Sequence, residues 1–360
     1  MSDFYSLSNI LKKHAHYNVI YGERSNGKTY SVLLYGLEEF YTKGSQLAII
    51  RRWKTDLDSM QANEMFKGLI NNGEVSRVTN GEYDTIVYRN KVWTLAKIVD
   101  GDVELDDKPF AFGFALSLEE HYKSTSFNNI RNILFDEFIS RDYYLPDEFL
   151  RFTSILSTII RLRDDVKIFM CGNSINKYNP YFAEMGLNRA KNQKKGTIDL
   201  YNYGNSGLKV AVEFSDFKST NKKSNVYFAF ENPKLNMVKS GDWEIKSYPH
   251  LPYKYTRDNV VYTFYIKFDD EIFSCDVVNC EDDLFIYVMR KTTDLKYLKD
   301  DLIYQLEVSE KENIRNNIFK AFTKFENRIL SIIQKNKIFY QNNEIGNTIE
   351  NFFNKCREVA

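Results

Sequence analysis

Two short stretches of the chain carry residue types, at spacings, that suit phosphate chemistry. The first is Gly22-Glu23-Arg24-Ser25-Asn26-Gly27-Lys28-Thr29. A G-x-x-x-x-G-K-T run between a strand and a helix captures anions: backbone N–H groups curl around a phosphate, and the helix N-terminus adds partial positive charge. Gly22 and Gly27 let the backbone turn sharply and approach closely. Lys28 suits the β- and γ-phosphates, and the Thr29 hydroxyl suits Mg²⁺. The second stretch is Ile133-Leu-Phe-Asp136-Glu137-Phe138. Asp136, at a strand end, is placed to hold the same Mg²⁺. Glu137, pointing to the other side, is placed to activate the water that attacks the γ-phosphate. An acid pair after a strand is common on protein surfaces. Combined with the upstream loop it points to ATP hydrolysis; a small-molecule kinase has no need of Glu137 to prime water. ATP and Mg²⁺ are the expected cofactors.

Other candidates have two readings each. Arg51-Arg52-Trp53-Lys54 follows the apolar strand Gln46–Ile50, on the ligand-bearing edge of a parallel sheet. These bases are either a solvated loop or contacts to the phosphates of a polymer. Asn173 ends another strand, 166–173, where it would sense the γ-phosphate or position water and Glu137. Arg161 and Arg163 end a helix. Either one caps its own carbonyls, or in a ring it reaches a neighbour's γ-phosphate and stabilises transition-state charge. Asp276 and the turn acids at 269–270 and 281–283 could hold two metals; turn acids plus one edge aspartate is the preferred reading.

The elements that must position these groups follow from pattern. Residues 1–16 read as a short amphipathic helix around Leu7, Ile10 and Leu11. Tyr17–Tyr21 forms the strand into the loop, and a helix through Phe40 ends at Gly44. Residues 57–72 are helical. A hairpin at 85–96, turning at Arg89-Asn-Lys91, and a strand at 110–117 form an insertion. The apolar run before Asp136 suits a central strand covered on both faces. A helix at 146–160, the strand 166–173, a basic stretch at 186–195 and a strand at 197–203 complete the first domain, and Gly204-Asn-Ser-Gly207 marks a break. The fold expected is α/β: a P-loop NTPase over residues 1–205, with a mostly parallel sheet and flanking helices. A linker or lid follows at 206–250. An α+β RNase H-like domain at 251–360 opens with strands at 260–268, 271–277 and 284–290, then helices at 311–335 and 344–358.

Composition narrows the classes. Lysine plus arginine and aspartate plus glutamate each number 49, so net charge is zero and nucleic-acid contact must come from local patches. The four cysteines and four histidines show no metal-ligand spacing, which argues against zinc. No signal peptide and no apolar run long enough for a bilayer is seen, so a soluble intracellular protein without a membrane partner is expected.

Taken jointly, Gly22–Thr29, Arg51-Arg-Trp-Lys54, Ile133–Phe138, Arg161-Leu-Arg163, Asn173-Ser and Asn179-Pro-Tyr-Phe182 resemble the DNA-packaging motor ATPases, or DNA encapsidation proteins, of small podophages. These are relatives of the large terminase subunit. The resemblance covers the first 200 residues well and the remainder loosely. It implies an ASCE-type P-loop ATPase that assembles as a homo-oligomeric ring, a pentamer on the capsid, and pumps double-stranded DNA through a portal or connector protein. It implies Arg161 as the trans-acting finger, Lys54 on a pore loop gripping DNA, and Arg24 near the phosphates. It further implies an inactive nuclease-like C-terminal domain, contact with a packaging RNA in some members, and residence in the host cytoplasm and transiently on the procapsid, not in the mature virion. The alternatives are a terminase-type nuclease that cuts DNA and a nucleotide-dependent switch without motor activity.

Overall fold

The computed structural model describes residues 5–24, 26–122, 126–140, 144–145, 147–173, 179–217, 248–251, 254–268, 271–280, 283–296 and 301–358. The chain divides into two compact units, Met1–Glu244 and Ile245–Ala360.

The first unit is built on a ten-stranded sheet. Its strands are β1 (Tyr17–Gly22), β2 (Gln46–Arg51), β3 (Thr85–Arg89), β4 (Val92–Val99), β5 (Asp102–Leu105), β6 (Ala111–Ala115), β7 (Ile130–Asp136), β8 (Lys167–Asn173), β9 (Thr197–Tyr203) and β10 (Leu208–Ser215). The order is β3-β4-β6-β2-β7-β8-β1-β10-β9, with β5 pairing β4. From β6 to β10 all neighbours are parallel. Strand β8 stands between β1 and β7, the additional strand that defines the ASCE arrangement. Both faces are covered, as a parallel sheet requires. Ile20, Leu134 and Phe169 point into one apolar layer with Leu33, Leu37 and Phe40 of α2 (Lys28–Lys43). Val19, Tyr21, Ile133 and Phe135 point into the other, with Phe152, Ile155, Leu156 and Ile159 of α6 (Glu148–Ile160) and Tyr181 and Phe182 of α7 (Pro180–Glu184). The single-residue alternation along β1 and β7 is the strand period of two.

Several local expectations change. The N-terminal helix is only α1 (Ser8–Leu11). The stretch 57–72 breaks into α3 (Ser59–Met65) and α4 (Lys67–Asn71), followed by α5 (Glu74–Val78). The hairpin does turn at Asn90-Lys91, both with positive φ (51° and 65°), and it extends the main sheet through β4 against β6. Helix α6 starts at Glu148; Pro146 lies outside the described residues. Gly204–Gly207 is no domain boundary. It is the turn of the antiparallel β9–β10 pair, and β10 lies beside β1 with Val210, Ala211, Val212 and Phe214 buried. The first unit therefore runs past residue 205. The stretch 218–247, which held most of the expected lid, lies outside the described residues.

The second unit has a six-stranded sheet of β11 (Val260–Phe268), β12 (Glu271–Cys280), β13 (Asp283–Lys291), β14 (Ile303–Tyr304), β15 (Ile314–Arg315) and β16 (Ile338–Tyr340), ordered β15-β14-β11-β12-β13-β16. The expected meander β11-β12-β13 is antiparallel, and β14 and β15 add in parallel, in keeping with the RNase H-like expectation. Helices α8 (Lys324–Gln334) and α9 (Asn343–Glu358) cover one face, burying Ile329, Ile332, Ile349 and Phe352 against Phe264, Phe273 and Ile286. The helix expected from residue 311 starts only at Lys324, where Thr323 and Glu326 form a reciprocal capping box.

Candidate nucleotide site

The parallel register aligns the carboxyl ends of four strands. Gly22 stands beside Asn173 on one side and Ser215 on the other, and Asp136 stands beside Cys171. Gly22 is obligatory at this edge: a Cβ there would lie 2.7 Å from the Ser215 carbonyl oxygen. Gly27, at φ 90°, starts α2 in a left-handed conformation that favours glycine. Lys28 and Thr29 therefore open the helix at the mouth of the loop.

Lys28 is 5% exposed. Its Nζ donates to the Glu23 carbonyl (2.7 Å) and to Asn26 Oδ1 (3.0 Å). Burial pulls its pKa down to about 8, against the opposing pull of Cys171, Asp136 and Glu23. Thr29 Oγ1 donates to Asp136 Oδ1 at 2.7 Å. The two residues that sequence assigns to one metal ion, 107 positions apart, are in direct contact. Burial pushes the Asp136 carboxyl above its usual range, while Arg51 and the Thr29 hydroxyl oppose that shift. The donor set fits Mg²⁺: a hydroxyl and a carboxylate are the hard oxygen ligands that ion takes. The loop fits phosphate, since the buried Asn26 Nδ2 is a donor with no partner among the described residues, beside the Lys28 ammonium. Arg24 is exposed on the same loop, and Ser25 lies outside the described residues.

Glu137 follows Asp136 with φ 58°, a left-handed conformation uncommon for a side-chain-bearing residue. Its carboxylate is 56% exposed and lies 2.8 Å from Arg51 Nη2. Asn173 is partly buried at the end of β8, next to Gly22.

The two arginines expected to contact a polymer do something else. Arg51 Nη1 is 2.7 Å from Asp136 Oδ2, its Nη2 pairs with Glu137, and its Nε is 3.6 Å from Asp56. Arg52 is 7% exposed. Its Nε and Nη2 form a fork with Glu148 (2.8 and 2.9 Å), and Nη1 and Nη2 donate to the carbonyls of Glu137 (3.2 Å) and Phe138 (2.9 Å). A guanidinium withdrawn from water needs its charge and donors matched, and acidic partners supply that match here. Lys54 differs. It is exposed and begins a 3₁₀ turn, Lys54–Leu57, with its backbone N–H donating to Ser117 Oγ at 3.2 Å.

The helix-end arginines also separate. Arg163 donates from Nε to the Ile160 carbonyl (3.1 Å), from Nη1 to Asn128 (2.9 Å) and Ile130 (2.7 Å), and from Nη2 to Phe127 (3.2 Å) and Ile159. Arg161 is exposed and closes α6 at φ 53°. In the second unit, Asp276 accepts from Thr263 Oγ1 (2.7 Å) and Tyr255 OH (2.9 Å). Among the described residues no group of three or more His, Cys, Asp or Glu could hold a metal. The acids at 269–270 and 281–282 lie outside them, and Asp283 pairs with Lys337.

Sequence reasoning missed three partners. Tyr5 donates its N–H to the Asn26 carbonyl (3.1 Å), strapping the N-terminal segment to the loop. Asp56 and Glu148 hold the two arginines. Only Glu148 carried a usable signal, an acid in the first turn of a helix.

A glycine-bounded loop between β1 and α2, an acid-ended β7 and the interposed β8 define a P-loop NTPase fold of ASCE type. A model of the family described as Podovirus DNA encapsidation protein (Gp16) matches residues 1–357, and the chain belongs to that family. The DNA packaging protein of Bacillus phage phi29 is 23% identical over 224 residues, 61% of this chain and 60% of that protein. The DNA packaging protein of Bacillus phage B103 is 26% identical over 173 residues, 47% and 48% of the respective chains. The alignments thus span about half to three fifths of these relatives' length. The bacteriophage Phi-29 viral genome packaging motor assembly is similar in fold, with a TM-score of 0.58 at 18% identity over 99% of this chain and 100% of that chain. The Phi-28 gp11 DNA packaging motor gives 0.55 at 18% identity over 99% and 98%. No helix of the described residues is long and apolar enough to cross a membrane.

Proposed function

We propose that this chain hydrolyses ATP and couples hydrolysis to translocation of double-stranded DNA into a preformed capsid, acting as a homo-oligomeric ring. The observation that carries the reading is the 2.7 Å contact between Thr29 and Asp136 beside the buried Lys28 ammonium. In this reading Lys28 leaves Glu23 and Asn26 for the β- and γ-phosphates, and the loop N–H groups around Gly22–Thr29 hold the remaining oxygens. Thr29 and Asp136 hold Mg²⁺, which when bound neutralises charge developing on the phosphates. Glu137 leaves Arg51, orients the attacking water and takes its proton. Asn173 lies at the adjacent strand end, where it contacts the γ-phosphate or that water. Arg161 enters the neighbouring subunit's site. Arg163 is committed to five carbonyls of its own chain, which counts against it in this role. Lys54 touches DNA phosphates. The ring is a pentamer on the capsid, its docking partner there is the portal, and a packaging RNA is a further partner implied by the family resemblance. The work is done in the host cytoplasm, at the procapsid.

The test is ATP turnover of the full chain with and without double-stranded DNA, with particle mass measured in the same solution. Turnover that rises with DNA in an oligomer supports the motor reading. Tight nucleotide binding with no turnover under any DNA condition would leave a switch instead.

A further inference from the structure

Arg51 and Arg52 are neighbours in sequence with opposite attachments. Arg51 takes the two acid side chains. Arg52 takes the main chain beneath them: the carbonyls of Glu137 and Phe138 accept from its Nη1 and Nη2. That main chain is the left-handed step at Glu137, φ 58°, which aims the carboxylate off the end of β7. A side-chain-bearing residue adopts this conformation at a cost and holds it only when its surroundings fix it. On the other side, Phe138 N–H donates to the Cys171 carbonyl at 3.2 Å, so the turn is held from β8 as well.

Arg52 is itself fixed with unusual completeness. Glu148, 3% exposed in the first turn of α6, grips it with both oxygens. The Tyr144 ring lies under the guanidinium, 5.1 Å to the centroid. Glu148 is held in turn by Tyr181 OH (2.6 Å) and Leu145 N–H (2.7 Å). A buried ion pair is weak evidence for stability, because desolvation offsets much of the attraction. It does fix geometry, since a planar fork matched to a carboxylate permits few orientations.

We infer that Arg52, locked by Glu148, is a positioning residue for Glu137, holding the catalytic turn in the conformation that presents its carboxylate to water. The inference rests on the ATPase reading above. It also follows that α6, which ends at Arg161, is tied at its first turn to the acid-bearing strand.

The experiment compares Arg52→Lys, Glu148→Gln and Tyr181→Phe in the full chain. Each is measured for kcat, KM for ATP, affinity for a non-hydrolysable ATP analogue, and melting temperature. Lysine keeps the charge and loses the fork, so Arg52→Lys is expected to lower kcat about tenfold or more with KM and analogue affinity little changed, the effect of a misplaced catalytic group. Glu148→Gln, which keeps the shape and weakens the grip, is expected to lower kcat by less, and it serves if the lysine variant fails to fold. Tyr181→Phe removes a buried hydrogen bond to Glu148 and leaves the Arg52–Glu148 fork in place. It is expected to lower the melting temperature and to lower kcat least of the three. Loss of kcat in all three in proportion to lost stability, or an Arg52→Lys chain with wild-type kcat, would overturn the inference. Wild-type turnover in the same assay tests the ATPase reading by itself, so a failure there is distinct from a failure confined to the variants.

Discussion

Burial brings the Lys28 pKa down to about 8, and with the proposed contact to a nucleotide phosphate this makes affinity depend on pH. A triphosphate beside the ammonium favours the protonated form, so binding above neutrality takes up a proton. Affinity is expected to fall as pH rises from 7 to 9, approaching about tenfold per unit above the free-state value. Calorimetry in two buffers of different ionisation enthalpy measures the uptake; identical heats in both would contradict it. In the empty protein the sign is the reverse of a stabilising ion pair. The depressed amine opposes folding below pH 8, and stability from this group rises as pH climbs from 8 towards the unfolded value. Residues of the loop and the acid pair were legible because their chemistry is written in local spacing. That Arg51 pairs with Asp136 and Arg52 with Glu148 was not, because these acids lie 85 and 96 positions away and a basic tetrapeptide looks the same solvated or buried.

At the scale of elements, one backbone contact sets the site. Gly22 ends β1 against β10, and an alanine methyl would be driven into the Ser215 carbonyl. Gly22→Ala is therefore expected to destabilise the first unit by about 1–3 kcal/mol, the range for overpacking, and to weaken nucleotide binding beyond that. Thermal melting with and without ATP separates the two effects; an unchanged melting temperature would show that the strands part easily. Strand β10 was the element least legible in the sequence. Gly204-Asn-Ser-Gly207 reads equally as a linker and as a hairpin turn, and only pairing with β1 decides. The start of α8 was legible and overlooked: Thr323-Lys-Phe-Glu326 has capping-box spacing. The strands β1, β7 and β8 were read correctly because a strand covered on both faces is apolar over most of its length.

For the whole molecule, zero net charge leaves the proposed grip on DNA to local contacts. Lys54→Ala is expected to weaken DNA binding and lower the slope of log affinity against log salt by about one. An unchanged slope would remove Lys54 from the interface. Arg161→Ala chains are expected to lose turnover alone and to recover part of it when mixed with Glu137→Gln chains, since finger and acid then meet across subunit boundaries. Mixed rings no more active than either parent would place Arg161 outside the neighbour's site. The most direct test of the central claim, that Glu137 drives hydrolysis at the site closed by Thr29 and Asp136, is DNA-stimulated turnover of Glu137→Gln measured beside its ATP affinity. Affinity within a few fold of wild type with turnover reduced by about 10²–10⁴ is the predicted result. Turnover close to wild type would contradict it.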